Sequence, residues 1–176
     1  MKKILIVVDM QKDFIDGALG SAEAVAVVDR VVDKINGFDG DIVVTYDTHQ
    51  EDYMSTREGK YLPVPHCIKG TEGWELNDKV EAALQDKFFV PMEKPTFGSI
   101  DLPRYIEENY NPDEVSLEFV GVCTDICVVS NALLCKANFP EMDITVDAAC
   151  CAGVTVDKHN AALETMRSCQ IDILNA

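Results

Sequence analysis

Residues 115–138 have the sequence VSLEFVGVCTDICVVSNALLCKAN, and this stretch decides the fold. Its first part, Val115–Val122, is mostly apolar and rich in β-branched residues, which favours a buried strand. Its second part, Thr124–Asn138, begins with a residue that can cap a helix and continues with helically spaced apolar residues. A buried strand that passes directly into a helix is typical of an α/β fold with parallel strands.

The same alternation continues on both sides of this stretch. Further strands are predicted for five apolar runs: Ile4–Val8, Ile42–Tyr46, Phe88–Pro91, Ile144–Val146 and Ile171–Leu174. Helices are predicted between Ser21 and Gly37, with Val25, Val28, Val32 and Ile35 at helical spacing, and over Leu102–Tyr110 and Val156–Ser168. The pattern predicts a three-layer α/β/α fold with a mainly parallel six-stranded sheet. No linker or repeat interrupts it, so residues 1–176 are expected to form one domain.

Composition excludes several classes of function. The formal charge of −16 repels phosphate backbones, so nucleic acid is not an expected partner. No apolar run reaches the roughly 18 residues that a membrane helix needs, and no membrane association is expected. The seven cysteines are odd in number and irregularly spaced, which fits free thiols in a reducing cytoplasm better than a disulfide framework.

Reactive side chains follow the predicted strands. Asp9, Asp47 and Lys94 each come at or just after the end of an apolar run, and Cys127 follows the strand Val115–Val122 closely. In open α/β sheets, ligands bind outside the carboxyl ends of the strands. The sequence therefore predicts that these four side chains converge on one edge of the sheet and form an active site there.

Cys127, Asp9 and Lys94 are suited to nucleophilic chemistry. Cys127 falls in the first turn of the predicted helix, where the helix dipole and free N–H groups lower a thiol pKa and can hold an oxyanion. Asp9, after a buried run, is suited to proton exchange with a thiol, and Lys94 can lower the pKa of a nearby cysteine. From position alone, each also has an ordinary alternative: a packed core cysteine, a turn-forming aspartate and a solvated lysine.

A long stretch, residues 48–73, interrupts the regular alternation and contains two of the three histidines. Long loops inside a compact domain are usually functional or disordered. Asp47 and His49 share one side if the strand persists through them, and His66 can complete a site of two histidines and one carboxylate, with Glu58 as a neighbour. Two unrelated loop histidines are the alternative. The third, His159, is interpreted as a surface histidine.

Three segments together resemble the isochorismatase-like cysteine hydrolases over essentially the whole chain: LIVVDMQKDF at 5–14, EKPTFGS at 93–99 and GVCTDICV at 121–128. The resemblance implies the isochorismatase-like, Rossmann-like fold and a catalytic triad of Asp9, Lys94 and Cys127. It also implies a cis peptide bond between Val122 and Cys123, and an oxyanion hole formed by the backbone N–H groups of Cys123 and Cys127.

Two further segments resemble the nicotinamidase/pyrazinamidase branch, which binds a metal: YDTH at 46–49 and LPVPHCIKGTEG at 62–73. This resemblance implies one divalent metal on Asp47, His49 and His66, with zinc expected and manganese, iron or magnesium as alternatives. Many nicotinamidases have another histidine between the last two ligands, whereas this chain offers only Glu58. The substrate pocket is expected to involve four apolar side chains: Phe14, Leu19, Val122 and Trp74.

The implied activity is hydrolysis of nicotinamide to nicotinate and ammonia through a Cys127 thioester, as in NAD salvage, with the metal holding the pyridine nitrogen. The expected small-molecule partner is then a carboxamide substrate, and the chain is expected to form a homo-oligomer. A related cysteine amidase for carbamoyl or ureido substrates is the first alternative, and it would need no metal. The second is a non-catalytic binding module of the same fold, which an intact triad argues against.

Overall fold

A computed structural model describes residues 1–176 and contains one six-stranded, entirely parallel sheet. The strands lie in the order β3-β2-β1-β4-β5-β6. Their bounds are as follows: β1 Lys2–Val8, β2 Asp41–Asp47, β3 Phe89–Lys94, β4 Val115–Val122, β5 Ile144–Ala152 and β6 Asp172–Leu174. The predicted α/β class and six strands are confirmed.

Helices cover both faces of the sheet. Their bounds are as follows: α1 Lys12–Ile15, α2 Ala22–Gly37, α3 Arg57–Tyr61, α4 Asp78–Leu84, α5 Asp101–Asn109, α6 Val129–Asn138 and α7 Val156–Ser168. Alternate residues of β1 enter opposite cores, so Leu5 and Val7 pack with α2 and α4, whereas Ile4 and Ile6 pack with α5, α6 and α7. Burial on both faces explains why the four inner strands, β2, β1, β4 and β5, are mostly apolar. No helix is both long and apolar enough to cross a membrane.

Local signals place some boundaries correctly and others less well. Val115–Val122 and Val156–Ser168 have the predicted bounds, and Ser21 caps α2 by accepting a hydrogen bond from the backbone N–H of Ala24. Phe88 does not begin β3, because its side chain is 86% exposed and pairing with β2 starts at Phe89. The strand predicted at Ile144 extends to Ala152, across a register shift in its pairing with β4.

The inner face of α2 differs from the prediction. Its buried residues are Ala24, Val27, Val28, Val31 and Ile35. The predicted members Val25 and Val32 lie along one edge of this stripe, and Val25 is 51% exposed. Because the helix is rich in alanine and valine, two overlapping sets of positions have helical spacing, and only packing against the sheet selects one.

The long stretch after β2 is more ordered than expected. It contains α3 and two single 3₁₀ turns, Tyr53–Ser55 and Glu72–Trp74. Thr56 caps α3 by accepting a hydrogen bond from the Gly59 N–H. Helix α4, capped by Asn77, was not predicted, because its 7 residues are too short to establish a helical period.

Candidate active site

The carboxyl ends of four neighbouring strands bring the predicted reactive residues together. Asp9 follows β1, Asp47 ends β2, Lys94 ends β3, and Cys127 lies in the turn after β4. The close approach of β4 to β1 requires glycine at Gly121, where φ is 118° and an added Cβ would lie 2.2 Å from the carbonyl oxygen of Val8.

Asp9 is a buried carboxylate in an unusual backbone conformation. Its φ of 48° is uncommon for a residue other than glycine, and such conformations cluster at functional sites. Oδ1 accepts a hydrogen bond from Thr45 Oγ1 at 2.7 Å. Oδ2 lies 2.6 Å from Nζ of Lys94 in a buried ion pair, and its remaining lone pair can accept a proton. Burial raises the pKa of Asp9, although Lys94 opposes that shift.

Lys94 is the positive centre of the site, not a solvated surface lysine. It is 1% exposed, and its Nζ lies 3.5 Å from Cys127 Sγ and 3.6 Å from Asp47 Oδ1. Nζ also donates to the carbonyl oxygen of Thr96 at 3.1 Å. Burial disfavours its charge, but the surrounding Asp9, Cys127 and Asp47 outweigh this and hold the pKa of Lys94 well above its usual value. The side chain therefore remains an ammonium ion at neutral pH.

Cys127 lies in a five-residue π-helix, Thr124–Val128, that leads into α6. π-Helical turns of this kind are frequent at functional sites. The expected lowering of the thiol pKa is wrong for the free protein. Cys127 is only 3% exposed, and burial followed by the charge of Asp9 raises its pKa well above the usual value, while Lys94 only partly opposes them. The sulfur therefore carries its proton at rest, beside a carboxylate that can take it.

The peptide bond between Val122 and Cys123 is cis, as the resemblance implies. Cys123 follows β4 directly, and its backbone N–H donates to no backbone carbonyl. A free N–H beside a cysteine thiol is the kind of donor that an oxyanion hole needs.

Next to Lys94, three buried side chains form a second cluster. Nε2 of His49 lies 3.0 Å from Asp47 Oδ2, and Nε2 of His66 lies 3.4 Å from the same oxygen. One ligand atom from each residue lies within 4.8 Å of the others. Burial alone would raise the pKa of Asp47, but its contacts with His49 and His66 and the charge of Lys94 hold it well below its usual range. Asp47 thus joins the clusters, with Oδ1 facing Lys94 and Oδ2 facing the histidines.

This donor set fits a divalent cation. Nδ1 of His66 lies 2.9 Å from the carbonyl oxygen of Val64, which only accepts, so Nδ1 carries the proton and Nε2 faces the cluster. Glu58 Oε1 lies 3.6 Å from Nε2 of both histidines, so two carboxylates and two imidazoles converge. Acceptors placed this way need a shared proton or a metal ion between them. Two histidines with carboxylates suit zinc or another first-row metal.

A cavity of about 760 Å³ opens beside His49 and Glu58. Its apolar wall is formed by four side chains from the end of α3, the loop after β3 and the nucleophile turn: Tyr61, Leu62, Phe97 and Ile126. A larger groove of about 1040 Å³ lies near the amino ends of β1 and β2 and contains none of the predicted site residues. Because the smaller cavity adjoins the buried ionisable cluster, it is the candidate substrate pocket.

The four residues predicted for the pocket are not among those that line this cavity, and their part in substrate binding stays a prediction. The centroid of the Phe14 ring lies 5.5 Å from the centroid of the His66 ring. Trp74 packs on Tyr46 and donates a hydrogen bond from Nε1 to Thr48 Oγ1 at 2.9 Å. Val122 is buried in the core, and Leu19 packs against it.

The chain resembles known proteins in sequence and in structure. The isochorismatase domain family matches residues 3–176. The chain belongs to the isochorismatase family. A nicotinamidase/pyrazinamidase of Mycobacterium tuberculosis is 27% identical, with 98% of each chain covered. Among solved structures, a nicotinamidase/pyrazinamidase of Bacillus subtilis superposes with a TM-score of 0.88 at 27% identity, covering 99% of this chain and 100% of that one. A zinc complex of a Pyrococcus horikoshii pyrazinamidase superposes with a TM-score of 0.80 at 27% identity, covering 100% of both chains.

In this isochorismatase-family chain, two polar residues, His159 and Asn131, form hydrogen bonds around the nucleophile turn that the sequence does not predict. His159 is not a free surface histidine, because it is half-buried and its Nδ1 lies 2.7 Å from Thr124 Oγ1. Asn131 accepts from the Ser99 N–H at 2.9 Å and donates to the Cys127 carbonyl at 2.8 Å. It therefore ties the loop after Lys94 to the nucleophile turn. The sequence does contain a signal for this contact, because Asn131 lies four residues after Cys127 and therefore on the same helical face.

The remaining cysteines form no second site. All seven are free thiols. Cys135, Cys150 and Cys151 are buried, and burial raises the pKa of each. They are small core residues, as expected for most cysteines of this chain.

Proposed function

We propose that this chain is a cysteine amidohydrolase that converts nicotinamide to nicotinate and ammonia. One observation carries the proposal: Asp47 joins a buried Asp9–Lys94–Cys127 cluster to a buried pair of histidines. The first cluster has a nucleophile and a proton acceptor for breaking an amide bond. The second can hold a ring nitrogen at a fixed distance from it. The similar proteins that are named nicotinamidase or pyrazinamidase support the same substrate class.

In the first half-reaction, Asp9 accepts the Cys127 proton while the sulfur attacks the carboxamide carbon. This order follows from the raised pKa values of both groups, since the proton moves as the bond forms and no thiolate has to exist beforehand. Lys94 stabilises the negative charge during the transfer. The N–H groups of Cys123 and Cys127 hold the oxyanion. Asp9 then gives its proton to the departing nitrogen, the C–N bond breaks, and ammonia leaves a thioester.

In the second half-reaction, Asp9 takes a proton from a water molecule as the water oxygen attacks the thioester carbon. The C–S bond breaks, the proton on Asp9 returns to the sulfur, and the product leaves as nicotinic acid, which ionises to nicotinate by giving its remaining proton to solvent. Asp47, His49 and His66, with Glu58 as a candidate fourth ligand, would hold one divalent cation, with zinc preferred to manganese, iron or magnesium. Such a cation, when bound, supplies a Lewis acid for the pyridine nitrogen. The side chains of Leu62, Phe97 and Ile126 would cover the ring and exclude water.

The domain organisation, cellular compartment and oligomeric state of the enzyme belong to the same proposal. Residues 1–176 would act as one hydrolase domain, since every site residue lies at the carboxyl ends of one sheet's strands or in the connections that follow them. The seven free thiols support a reducing cytoplasm. Self-association into a homo-oligomer is an expectation that analytical ultracentrifugation measures directly.

The deciding experiment is ammonia release from nicotinamide, pyrazinamide and a panel of carbamoyl compounds, with metal content measured on the same preparation. We expect turnover of the two ring carboxamides and about one divalent ion per chain. Cys127→Ala should remove turnover while leaving the melting temperature nearly unchanged. Cys169→Ala is the matched control, because Cys169 is exposed and lies after α7. Turnover of carbamoyl compounds alone by metal-free protein would replace this proposal with the carbamoyl amidase.

A further inference from the structure

The hydrogen-bonded ladder between β1 and β2 ends at Thr45, two residues before Asp47, the first of the three candidate metal ligands. Asp9 N–H still donates to the Thr45 carbonyl at 3.2 Å. A regular parallel ladder would continue with the Asp47 N–H on the Asp9 carbonyl and the Gln11 N–H on the Asp47 carbonyl. However, Asp9 has a φ of 48°, and its carbonyl accepts the Gln11 N–H at 2.7 Å. The turn that aims the Asp9 carboxylate into the site thus leaves both backbone groups of Asp47 without strand partners.

The side chain of Gln11 takes the place of the missing strand. Its Oε1 accepts the Asp47 N–H at 2.8 Å, and its Nε2 donates to the Asp47 carbonyl at 2.8 Å. Nε2 also donates to the Trp74 carbonyl at 2.9 Å. Gln11 is fully buried, and its backbone forms an isolated bridge with Leu76, so a second chain segment holds the amide in place. A side-chain amide is the one neutral group with a donor and an acceptor at the right separation to pair with a peptide unit.

Asp47, which Gln11 holds in this way, contacts both clusters of the site. One oxygen of Asp47 faces Lys94 at 3.6 Å and the other faces His49 at 3.0 Å. Rotation or displacement of its backbone would therefore alter the ion-pair cluster and the histidine cluster together. On its other edge, Asp47 is paired with Lys94 of β3, so Gln11 supplies the only restraint on the β1 side.

We propose that Gln11 is a positioning residue that holds Asp47 in register and so sets the geometry of the metal ligands. The inference rests on the proposed function for its metal site, but its test needs no substrate. Orienting groups behind metal ligands commonly contribute 10- to 100-fold to metal affinity, and we expect an effect of about that size.

The experiment compares full-length wild type with Gln11→Met, which keeps the side-chain length but removes the accepted hydrogen bond and both donated ones. The probes are Zn²⁺ alone, with dissociation constants from competition with a chelator, and Co²⁺ alone, whose visible spectrum reports coordination geometry. Tyr110→Phe is the matched control, since it removes a 2.6 Å hydrogen bond to Asp41 at the far end of β2. Gln11→Asn, which keeps a shorter amide, replaces Gln11→Met if that variant does not fold.

We expect Zn²⁺ affinity to fall about 10- to 100-fold in Gln11→Met with a changed Co²⁺ spectrum, and to stay unchanged in Tyr110→Phe. A Gln11 variant that melts at a lower temperature but keeps wild-type Zn²⁺ affinity and Co²⁺ spectrum would overturn the inference, because Gln11 would then only stabilise the fold. A wild-type protein that binds neither ion would overturn it as well. Loss of affinity in the variant together with no nicotinamide turnover by wild type would leave the inference standing and refute the proposed function instead.

Discussion

Replacement of Lys94 by methionine tests the electrostatics of the site most directly. Nζ of Lys94 lies 3.5 Å from Cys127 Sγ, so at an effective dielectric constant of about 20 the ammonium stabilises a thiolate by about 4–5 kcal/mol. Part of this is offset, because without Lys94 the buried Asp9 carboxyl keeps its own proton and stops repelling the sulfur. The net expectation is a loss of about 1–4 kcal/mol of thiolate stabilisation, which raises the pKa of Cys127.

The assay is alkylation by iodoacetamide, a neutral reagent, over a range of pH. Below the thiol pKa, each unit of increase lowers the thiolate fraction tenfold, so the rate at Cys127 should fall about 10- to 1000-fold at fixed pH. Tandem mass spectrometry locates the label among the seven cysteines. Lys79→Met is the control, because Lys79 forms an exposed ion pair with Asp29 away from the site. A Cys127 profile that Lys94→Met leaves unchanged would refute the reasoning and restrict Lys94 to orienting Asp9.

Three further outcomes are expected. His49→Ala should abolish stoichiometric metal binding, whereas Glu58→Gln should only weaken it, as measured by elemental analysis after gel filtration; retained metal in His49→Ala would contradict the ligand assignment. Asp147→Asn should lower the free energy of unfolding by about 1–3 kcal/mol in urea titrations, because it breaks the 2.7 Å ion pair between a buried carboxylate and the partly exposed Lys34. Burial would raise the pKa of Asp147, but hydrogen bonds from Lys34 and Asn175 lower it. The stability that the ion pair contributes should therefore be present above about pH 4 and disappear as the pH falls further. If Asp147→Asn left the pH dependence of the free energy of unfolding unchanged in acid, this assignment would be contradicted. Gly121→Ala should cost about 2–4 kcal/mol by the same titration and reduce turnover, since φ is 118° and the new Cβ would meet β1; near wild-type stability would show that the strands can separate freely.

The sequence determined those features that depend on neighbouring residues. Val115–Val122 and Val156–Ser168 were predicted with their correct bounds because apolar content, helical period and capping residues act within a few positions. The convergence of Asp9, Asp47, Lys94 and Cys127 was predictable as well, since the carboxyl ends of parallel strands meet at one edge whatever their order. Family resemblance added the cis peptide and the metal ligand set, which no local period encodes.

Only the tertiary structure decided the features that depend on distant partners. The buried stripe of α2 was one of two stripes with helical spacing, and the sheet selected it. The raised thiol pKa of Cys127 results from burial and from Asp9, which comes from a different strand. Gln11 and Asp47 are 36 residues apart, and the bonds between them exist only because the chain turns at Asp9. Solvent exclusion and long-range hydrogen bonding are properties of the packed molecule, so residue order alone does not specify them.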